Sequence, residues 1–324
     1  MSYPLTFVTQ FKDKIWGGNK IKSILGKDYA PLPNCGETWE ISGVKSNISI
    51  VKNGIWQGKS LQELLYEHKD KLVGAKVYEK YGTNFPLLVK FIDANDDLSI
   101  QVHPNDALAL ARHNSFGKSE MWYIMQADTG AKLNAGFSVP VTRESYLNHL
   151  NNRTLDKILN IEEVQSGDVY YMPAGRVHYI GKGILLAEIQ QSSDVTYRIY
   201  DFDRVDDKGS KRELHTDQAL DAIDYHHYPE YKTNYKITNN APTSLVTSPY
   251  FITNLLKYNA IYTTELQNRD SFTIYICVEG SAHIVADGYD TTLNLGETVL
   301  IPASVSTIQI IPSPSYTLLE TYVP

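Results

Sequence analysis

Short apolar runs bounded by Gly, Pro and Asn recur along the whole chain. They occupy residues 48–58, 85–92, 98–104, 120–127, 168–175, 183–191, 271–280 and 297–303. Most are rich in Val, Ile, Tyr and Thr, and several alternate apolar with polar residues. Strands of this length, evenly spaced between turn residues, predict a mainly β chain closed into sandwiches or barrels. Helical patterns are fewer. Ser60-Leu61-Gln62-Glu63 is a capping box that should open a helix running to about Tyr81. Residues Asn105 to Arg112 and Thr142 to Asn160 read as helical inserts, and Thr216 as the cap of a short helix through Ile223. Asn53-Gly54 is a two-residue hairpin signal. The stretch 53–60 nearly matches a phosphate-binding loop, but it lacks the first glycine, and the hairpin and helix cap account for its residues.

The C-terminal part echoes the middle. Gly167, Pro173, Ala174, Gly175 and His178 set a pattern that Gly296, Pro302, Ala303, Ser304 and Thr307 repeat, with Thr307 where His178 stood. Upstream, Glu120 and Asp270 each precede a glycine, Gly130 and Gly280, by ten positions. Two related β modules are expected: 1–235, metal-binding and catalytic with helical inserts, and 248–324, structural and without ligands. The linker should lie in the polar stretch from Tyr228 to Thr247, which holds Pro229 and Pro242.

Composition narrows the function classes. The 324 residues carry 30 Lys and Arg against 37 Asp and Glu, a formal charge of -7, which argues against a broad nucleic-acid surface. Cys35 and Cys277 form no spacing motif and suit a reducing compartment. No signal-peptide pattern opens the chain and no apolar run approaches a membrane span, so a cytoplasmic location is expected. Nothing sets the oligomeric state, and a monomer is favoured.

In a strand, residues two apart share a face. Ser99, Gln101 and His103 then point one way, and Lys118, Glu120 and Trp122 share a face of the next strand. With His178 at the Pro-Ala-Gly turn, Gln101, His103 and Glu120 complete a set of two imidazoles, a carboxylate and an amide oxygen. Two His and one carboxylate with a further open position is a catalytic Zn²⁺ ligand set. Fe²⁺, Mn²⁺ and Co²⁺ accept similar donors. The second module keeps the turn without the histidine, so the histidine has a task other than shaping the turn. Periodicity also turns Lys90, Glu188, Gln190 and Arg198 inward, which makes a positive pocket around a metal in an acidic protein.

The glycine-to-histidine turn after an acid-bearing strand resembles the cupin pattern. Ser99-Ile100-Gln101-Val102-His103-Pro104-Asn105 followed by Gly117-Lys118-Ser119-Glu120-Met121-Trp122 resembles the type I mannose-6-phosphate isomerase (phosphomannose isomerase) family in its short bacterial form. So do Trp16-Gly17-Gly18, the segment from Gly36 to Ser42, and that from Ser193 to Arg204. The resemblance covers about Phe7 to Leu214 and lacks the long helical domain of larger relatives. It implies a double cupin of two jelly-roll modules and a Zn²⁺ enzyme, one ion per chain. The reaction it implies interconverts mannose 6-phosphate and fructose 6-phosphate through an enediol. Its metal ligands fall on His103, Glu120 and His178, with Gln101 fourth, and its catalytic arginine on Arg198. Lys90, Ser99, Lys118, Glu188 and Arg204 fall on active-site positions, Ser99 and Arg204 as phosphate contacts. Asp194 and Thr196 share the face of Arg198 if the segment is extended, which makes Asp194 a substrate-binding candidate. Between Lys118 and Glu188 as proton-transfer groups the residues do not choose. The alternatives are another metal-dependent cupin enzyme of dioxygenase type and a non-catalytic sugar-phosphate-binding cupin.

Overall fold

The computed structural model describes residues 3–205 and 208–324, which form two units, each built on antiparallel β-sheets. One unit comprises 11–37 and 91–233; the other comprises 1–10, 38–90 and 234–324. The strand Leu87–Ala94 runs through the boundary between them.

In the first of these units two sheets pack face to face. One runs from the end of Leu87–Ala94 through Ile184–Gln191 and Glu120–Ala127 to Val169–Met172. The other has the order Tyr197–Tyr200, Ile100–Val102, His178–Ile180, Lys132–Phe137, Leu159–Glu163. Trp122, Ile124, Leu133, Ala135, Ile180 and Leu186 join both sheets in one buried core. The second sheet buries its other face as well. Ile100, Val102, Val177, Tyr197 and Ile199 pack with Tyr146 and Ala219, from helices Arg143–Asn151 and Thr216–Ala222. Alternation therefore leaves Gln101, Arg198 and His178 on the face opposite that helix-covered core.

The helical inserts follow their capping chemistry, with corrections at the ends. Asn105 Oδ1 accepts from the Leu108 amide and starts Asp106–His113. Thr142 and Ser145 form a reciprocal cap on Arg143–Asn151, after which Leu155–Lys157 is a short 3₁₀ turn and Leu159–Glu163 a strand. The Ser60–Glu63 capping box is present, but the helix expected through Tyr81 breaks into Leu61–His68, Asp70–Val73 and Ala75–Tyr81. Lys69 and Gly74 take positive φ at the two breaks. At Gly74 a β-carbon would lie 2.0 Å from the Asp270 carbonyl oxygen, so a close backbone approach sets that break. Thr216 is the first helical residue rather than the cap. Asn53-Gly54 makes no hairpin: Gly54–Trp56 is a 3₁₀ turn, and the Asn53 side chain bridges the Pro4 carbonyl and the Thr6 amide.

The other unit carries the seven-stranded sheet, with Thr307–Tyr322 and Thr273–Ala286 as its long central pair. Leu256, Tyr275, Ile284, Val299, Ile310 and Leu318 fill its core. The chain enters it at 234, inside the polar stretch expected to link the modules, but segments 1–10 and 38–90 also belong to it. Phe85 packs at a tilt against Phe272, ring centroids 4.7 Å apart, and the amides of Ala75 and Lys76 donate to the Asp270 carboxylate at 2.7 and 3.1 Å. The acid that echoes Glu120 thus caps a helix. Asp270→Ala should lower stability by about 1 kcal/mol, the worth of a lost cap. Urea unfolding should show it, with bound metal unchanged.

Candidate active site

Three buried residues, His103, Glu120 and His178, bring one donor atom each to within 4.8 Å of one another, the group among the described residues able to hold a metal ion. Glu120 is fully buried, and each histidine is 1% exposed. Glu120 opens its strand in the first sheet, and His178 opens its strand in the second. His103 follows Ile100–Val102 directly. His178 Nε2 lies 3.3 Å from Glu120 Oε1, and His103 Nε2 lies 3.5 Å from Glu120 Oε2. Gln101 is the Cα partner of His178 across the second sheet, and its amide end lies 3.2 Å from His178 Nε2. A half-turn of that amide exchanges its nitrogen for its oxygen.

Local backbone bonds stitch these segments together. The Gly175 amide donates to the His103 carbonyl at 2.9 Å, the Lys118 amide to the Pro104 carbonyl at 3.1 Å, and the Ala174 amide to Ser119 Oγ at 3.1 Å. Gly175 has φ +93°, the reason the Pro-Ala-Gly turn ends in glycine. Ser119 is held in turn by Gln191, whose Oε1 accepts from the Ser119 amide at 2.9 Å.

Both imidazoles are oriented from behind. His103 Nδ1 lies 3.0 Å from the Val195 carbonyl, and His178 Nδ1 lies 2.8 Å from the Arg176 carbonyl. A carbonyl only accepts, so each Nδ1 carries the proton and each Nε2 turns its lone pair to the centre. Burial, and then the Lys118 charge, push the His178 imidazole down to about 3, so it stays neutral. The Lys118 ammonium lies between His103 Nε2, at 2.9 Å, and Glu120 Oε2. A cation is thus already held by the donors a metal would use. Two lone-pair nitrogens and a carboxylate in a water-poor space fit a divalent ion of the zinc type.

Around this centre the structure treats the other candidates unequally. Arg198 is the Cα partner of Gln101 on the neighbouring strand, so Arg198, Gln101 and His178 lie in one row across the sheet. The Arg198 guanidinium donates through Nη1 to the Glu213 carbonyl at 2.9 Å, while its buried Nε has no hydrogen-bond partner among the described residues. Burial, and then the neighbouring Arg212, lower its pKa, although a guanidinium keeps its proton. Glu188 accepts from Trp122 Nε1 at 2.9 Å and is the Cα partner of Trp122, two positions from Glu120 along that strand. Gln190 is the Cα partner of Glu120. Ser99 is buried just before Gln101, and Lys90 is buried on its strand with its ammonium 5.4 Å from the Trp39 ring centre. Arg204 is held by Asp201 at 2.7 Å, Asp96 at 3.3 Å and the Asp97 carbonyl. Asp194 is exposed in the loop after Gln191, and the strand of Arg198 begins only at Tyr197. The extended register that grouped Asp194 with Arg198 is therefore not present.

Two neighbours of Arg198 were not foreseen from the sequence. Arg212 pairs with Asp201, donating through Nε at 2.7 Å. The segment 213–215 closes over Arg198: the His215 amide donates to the Arg198 carbonyl at 2.7 Å, and the Arg198 amide to His215 Nδ1 at 3.2 Å. The polar run Lys211-Arg212-Glu213-Leu214-His215 was the available signal, but it shows no strand periodicity. In the other unit Thr307 is exposed at the start of its strand, and no metal-binding group occurs there among the described residues.

Residues 5–128 match the family model for the phosphomannose isomerase type I catalytic domain, and 241–313 that for the mannose-6-phosphate isomerase cupin domain. The chain is 36% identical to a mannose-6-phosphate isomerase of Streptococcus mutans, over 95% of each chain. It is also 36% identical to mannose-6-phosphate isomerase ManA of Bacillus subtilis, over 92% of this chain and 93% of that one. The crystal structure of a Bacillus subtilis mannose 6-phosphate isomerase superposes over 100% of both chains, with TM-score 0.89 and 31% identity.

Metal analysis of the purified chain should give one ion. Glu120→Gln and His178→Ala should each lower metal affinity at least tenfold while circular dichroism stays β-rich. Two tightly held ions per chain, or full retention by His178→Ala, would contradict the assignment.

Proposed function

The chain belongs to the type I mannose-6-phosphate isomerase family, and from that premise we propose how its residues divide the reaction. The protein is an aldose–ketose isomerase acting on mannose 6-phosphate and fructose 6-phosphate. The observation that carries the reading is the buried His103–Glu120–His178 group with Arg198 one strand beyond Gln101. In the aldose-to-ketose direction the C2–H bond breaks, a C1–H bond forms, and the hydroxyl proton passes from O2 to O1 through an enediol. This needs a base near C2, charge stabilisation at the two oxygens and an anion site for phosphate.

One zinc ion per chain would be held by His103, Glu120 and His178, with Gln101 as fourth ligand. When bound, it supplies Lewis acidity toward the sugar oxygens. The remaining work belongs to side chains. Arg198 holds the adjacent oxygens as negative charge develops, because its planar fork keeps its proton and presents parallel donors. Its unpartnered buried Nε–H supports that task, since a buried donor left without an acceptor costs about 1–3 kcal/mol unless a ligand uses it. Lys118 and Glu188 are the proton-transfer groups. Lys118 touches two ligand side chains, and Glu188 is anchored by the Trp122 indole. Lys90, Ser99 and Arg204 bind substrate, Ser99 and Arg204 through its phosphate. For Arg204 this requires sharing with Asp201 and Asp96, so its contribution is smaller than that of an unpaired arginine.

Catalysis resides in 1–235, and 248–324 is a structural module. No helix among the described residues is long and apolar enough to cross a membrane. A cytoplasmic location is supported by two buried free thiols, Cys35 and Cys277, and by an anionic substrate.

A coupled assay with mannose 6-phosphate, before and after chelation, tests the reading. Activity should fall on chelation and return with Zn²⁺. Free mannose should be turned over far less efficiently, because a charged hydrogen bond to phosphate contributes roughly 1.5–3 kcal/mol. Comparable efficiency on the two sugars would refute the phosphate site. Arg198→Ala should keep its metal and lose about 10²–10³ in kcat, with KM changed much less. Arg198→Lys should recover little. An intact kcat with a raised KM would instead make Arg198 a binding clamp.

A further inference from the structure

We propose that His215 is a positioning residue that locks Arg198 in place by using its imidazole as a substitute strand. The inference rests on the catalytic reading of Arg198 given above. The strand Tyr197–Tyr200 is the outermost of its sheet, and its pairing register with Ile100–Val102 shifts between Arg198 and Tyr200. An edge strand with a bulge beside a catalytic side chain lacks the two-sided ladder that fixes interior strands. Residues 213–215 supply the missing side. The Arg198 carbonyl accepts from the His215 amide at 2.7 Å, the Arg198 amide donates to His215 Nδ1 at 3.2 Å, and Arg198 Nη1 donates to the Glu213 carbonyl at 2.9 Å.

Three bonds from one short segment thus hold both the backbone and the guanidinium of Arg198. The bond to Nδ1 is the unusual one, because a side chain occupies the place of a strand carbonyl. It requires a lone pair on Nδ1 and hence the proton on Nε2. The backbone of His215 is itself held. His215 immediately precedes the helix Thr216–Ala222, whose Ala219 amide donates to the His215 carbonyl at 2.9 Å, and its ring centroid lies 6.3 Å from that of Tyr197. Tyr197 is anchored from its other end by His113 Nε2, 2.8 Å from its hydroxyl. Helix, imidazole and edge strand are therefore connected behind the arginine. A group that must meet developing charge within a fraction of an ångström benefits from such support, since misplacement by about 1 Å can cost a factor near 10².

The chemistry of the latch makes the test selective. Asn carries its Oδ1 the same number of bonds from the backbone as Nδ1 of His, so His215→Asn keeps an acceptor. His215→Leu keeps much of the volume and removes it. In the zinc-loaded full-length enzyme, His215→Leu should lower kcat about tenfold with KM for mannose 6-phosphate within about threefold of wild type. His215→Asn should restore most of the loss, and both should retain one ion per chain. Hydrogen exchange of a peptide spanning 197–199 should speed up in His215→Leu and not in His215→Asn, whether or not Arg198 is catalytic. Unchanged exchange in His215→Leu, or an Asn variant as impaired as the Leu one, overturns the latch. Faster exchange with an intact kcat, while Arg198→Ala has lost its turnover, overturns the claim that positioning matters. In the Arg198→Ala background, His215→Leu should cost nothing further, and an undiminished tenfold loss there also overturns the proposal. An Arg198→Ala enzyme with normal turnover defeats the reading of Arg198 itself, and with it the catalytic consequence of the latch.

Discussion

A carboxylate with no solvent access is the constraint around which the first unit is built. Glu120 lies between two sheets, faced by two buried imidazoles whose Nδ1–H···O bonds turn their Nε2 atoms toward it. Such a group is stable only with a cation against it, because isolated charge in a dry interior costs several kcal/mol. Everything nearby serves that arrangement. The Gly175 and Ala174 amides tie the turn to His103 and Ser119, and Gln101 bridges the row between His178 and Arg198. The outer face of the same sheet is covered by helices, so the ligand-bearing strands cannot shift without disturbing a second core.

The two halves of the echo show what happens to the turn when that constraint is lifted. Both keep the glycine-to-proline geometry, with Gly167 and Gly296 at positive φ. In the second copy the histidine position is the exposed Thr307. The acid of the echo, Asp270, is used to terminate backbone donors of Ala75 and Lys76. The buried carboxylate of that unit is satisfied by its neighbours. Glu320 accepts from Arg269 at 2.8 Å, Tyr275 at 2.9 Å and Asn254 at 2.9 Å. A buried carboxylate whose donors are all neighbouring side chains has no need of a metal, whereas Glu120 faces two nitrogens that offer lone pairs.

What the sequence displays and what it hides follow from range. Period-2 alternation is local, so Gln101, Glu120 and Glu188 were assigned to inward faces from spacing alone. Helix starts at Ser60, Asn105 and Thr142 were legible because a cap is a contact within three residues. Breaks within a helical stretch were not: the one at Gly74 is set by an approach of the Asp270 backbone, nearly two hundred positions away. Asn53-Gly54 misled for a related reason, since the Asn53 side chain is recruited by Pro4 and Thr6. Arg212 and His215 act through tertiary contacts from a segment without periodicity, so no pattern announced them. Arg204 was legible as a charge, but its partners Asp96 and Asp201 decide how much of that charge a ligand meets.

That last point sets the electrostatics of the pocket. Arg198, Arg204 and Arg212 interact closely enough that each of the other two lowers the Arg198 pKa, burial being the larger cause. Asp201 accepts from both Arg204 and Arg212, which hold its carboxyl below the usual range even though burial works the other way. One buried carboxylate thus offsets part of two charges. Among the described residues no carboxylate lies within ion-pair distance of Arg198; its guanidinium touches only a carbonyl. Asp201 and Glu213 act on Arg198 only through space, whereas Arg204 and Arg212 are each ion-paired with Asp201, so Arg198 is the least neutralised guanidinium of the three.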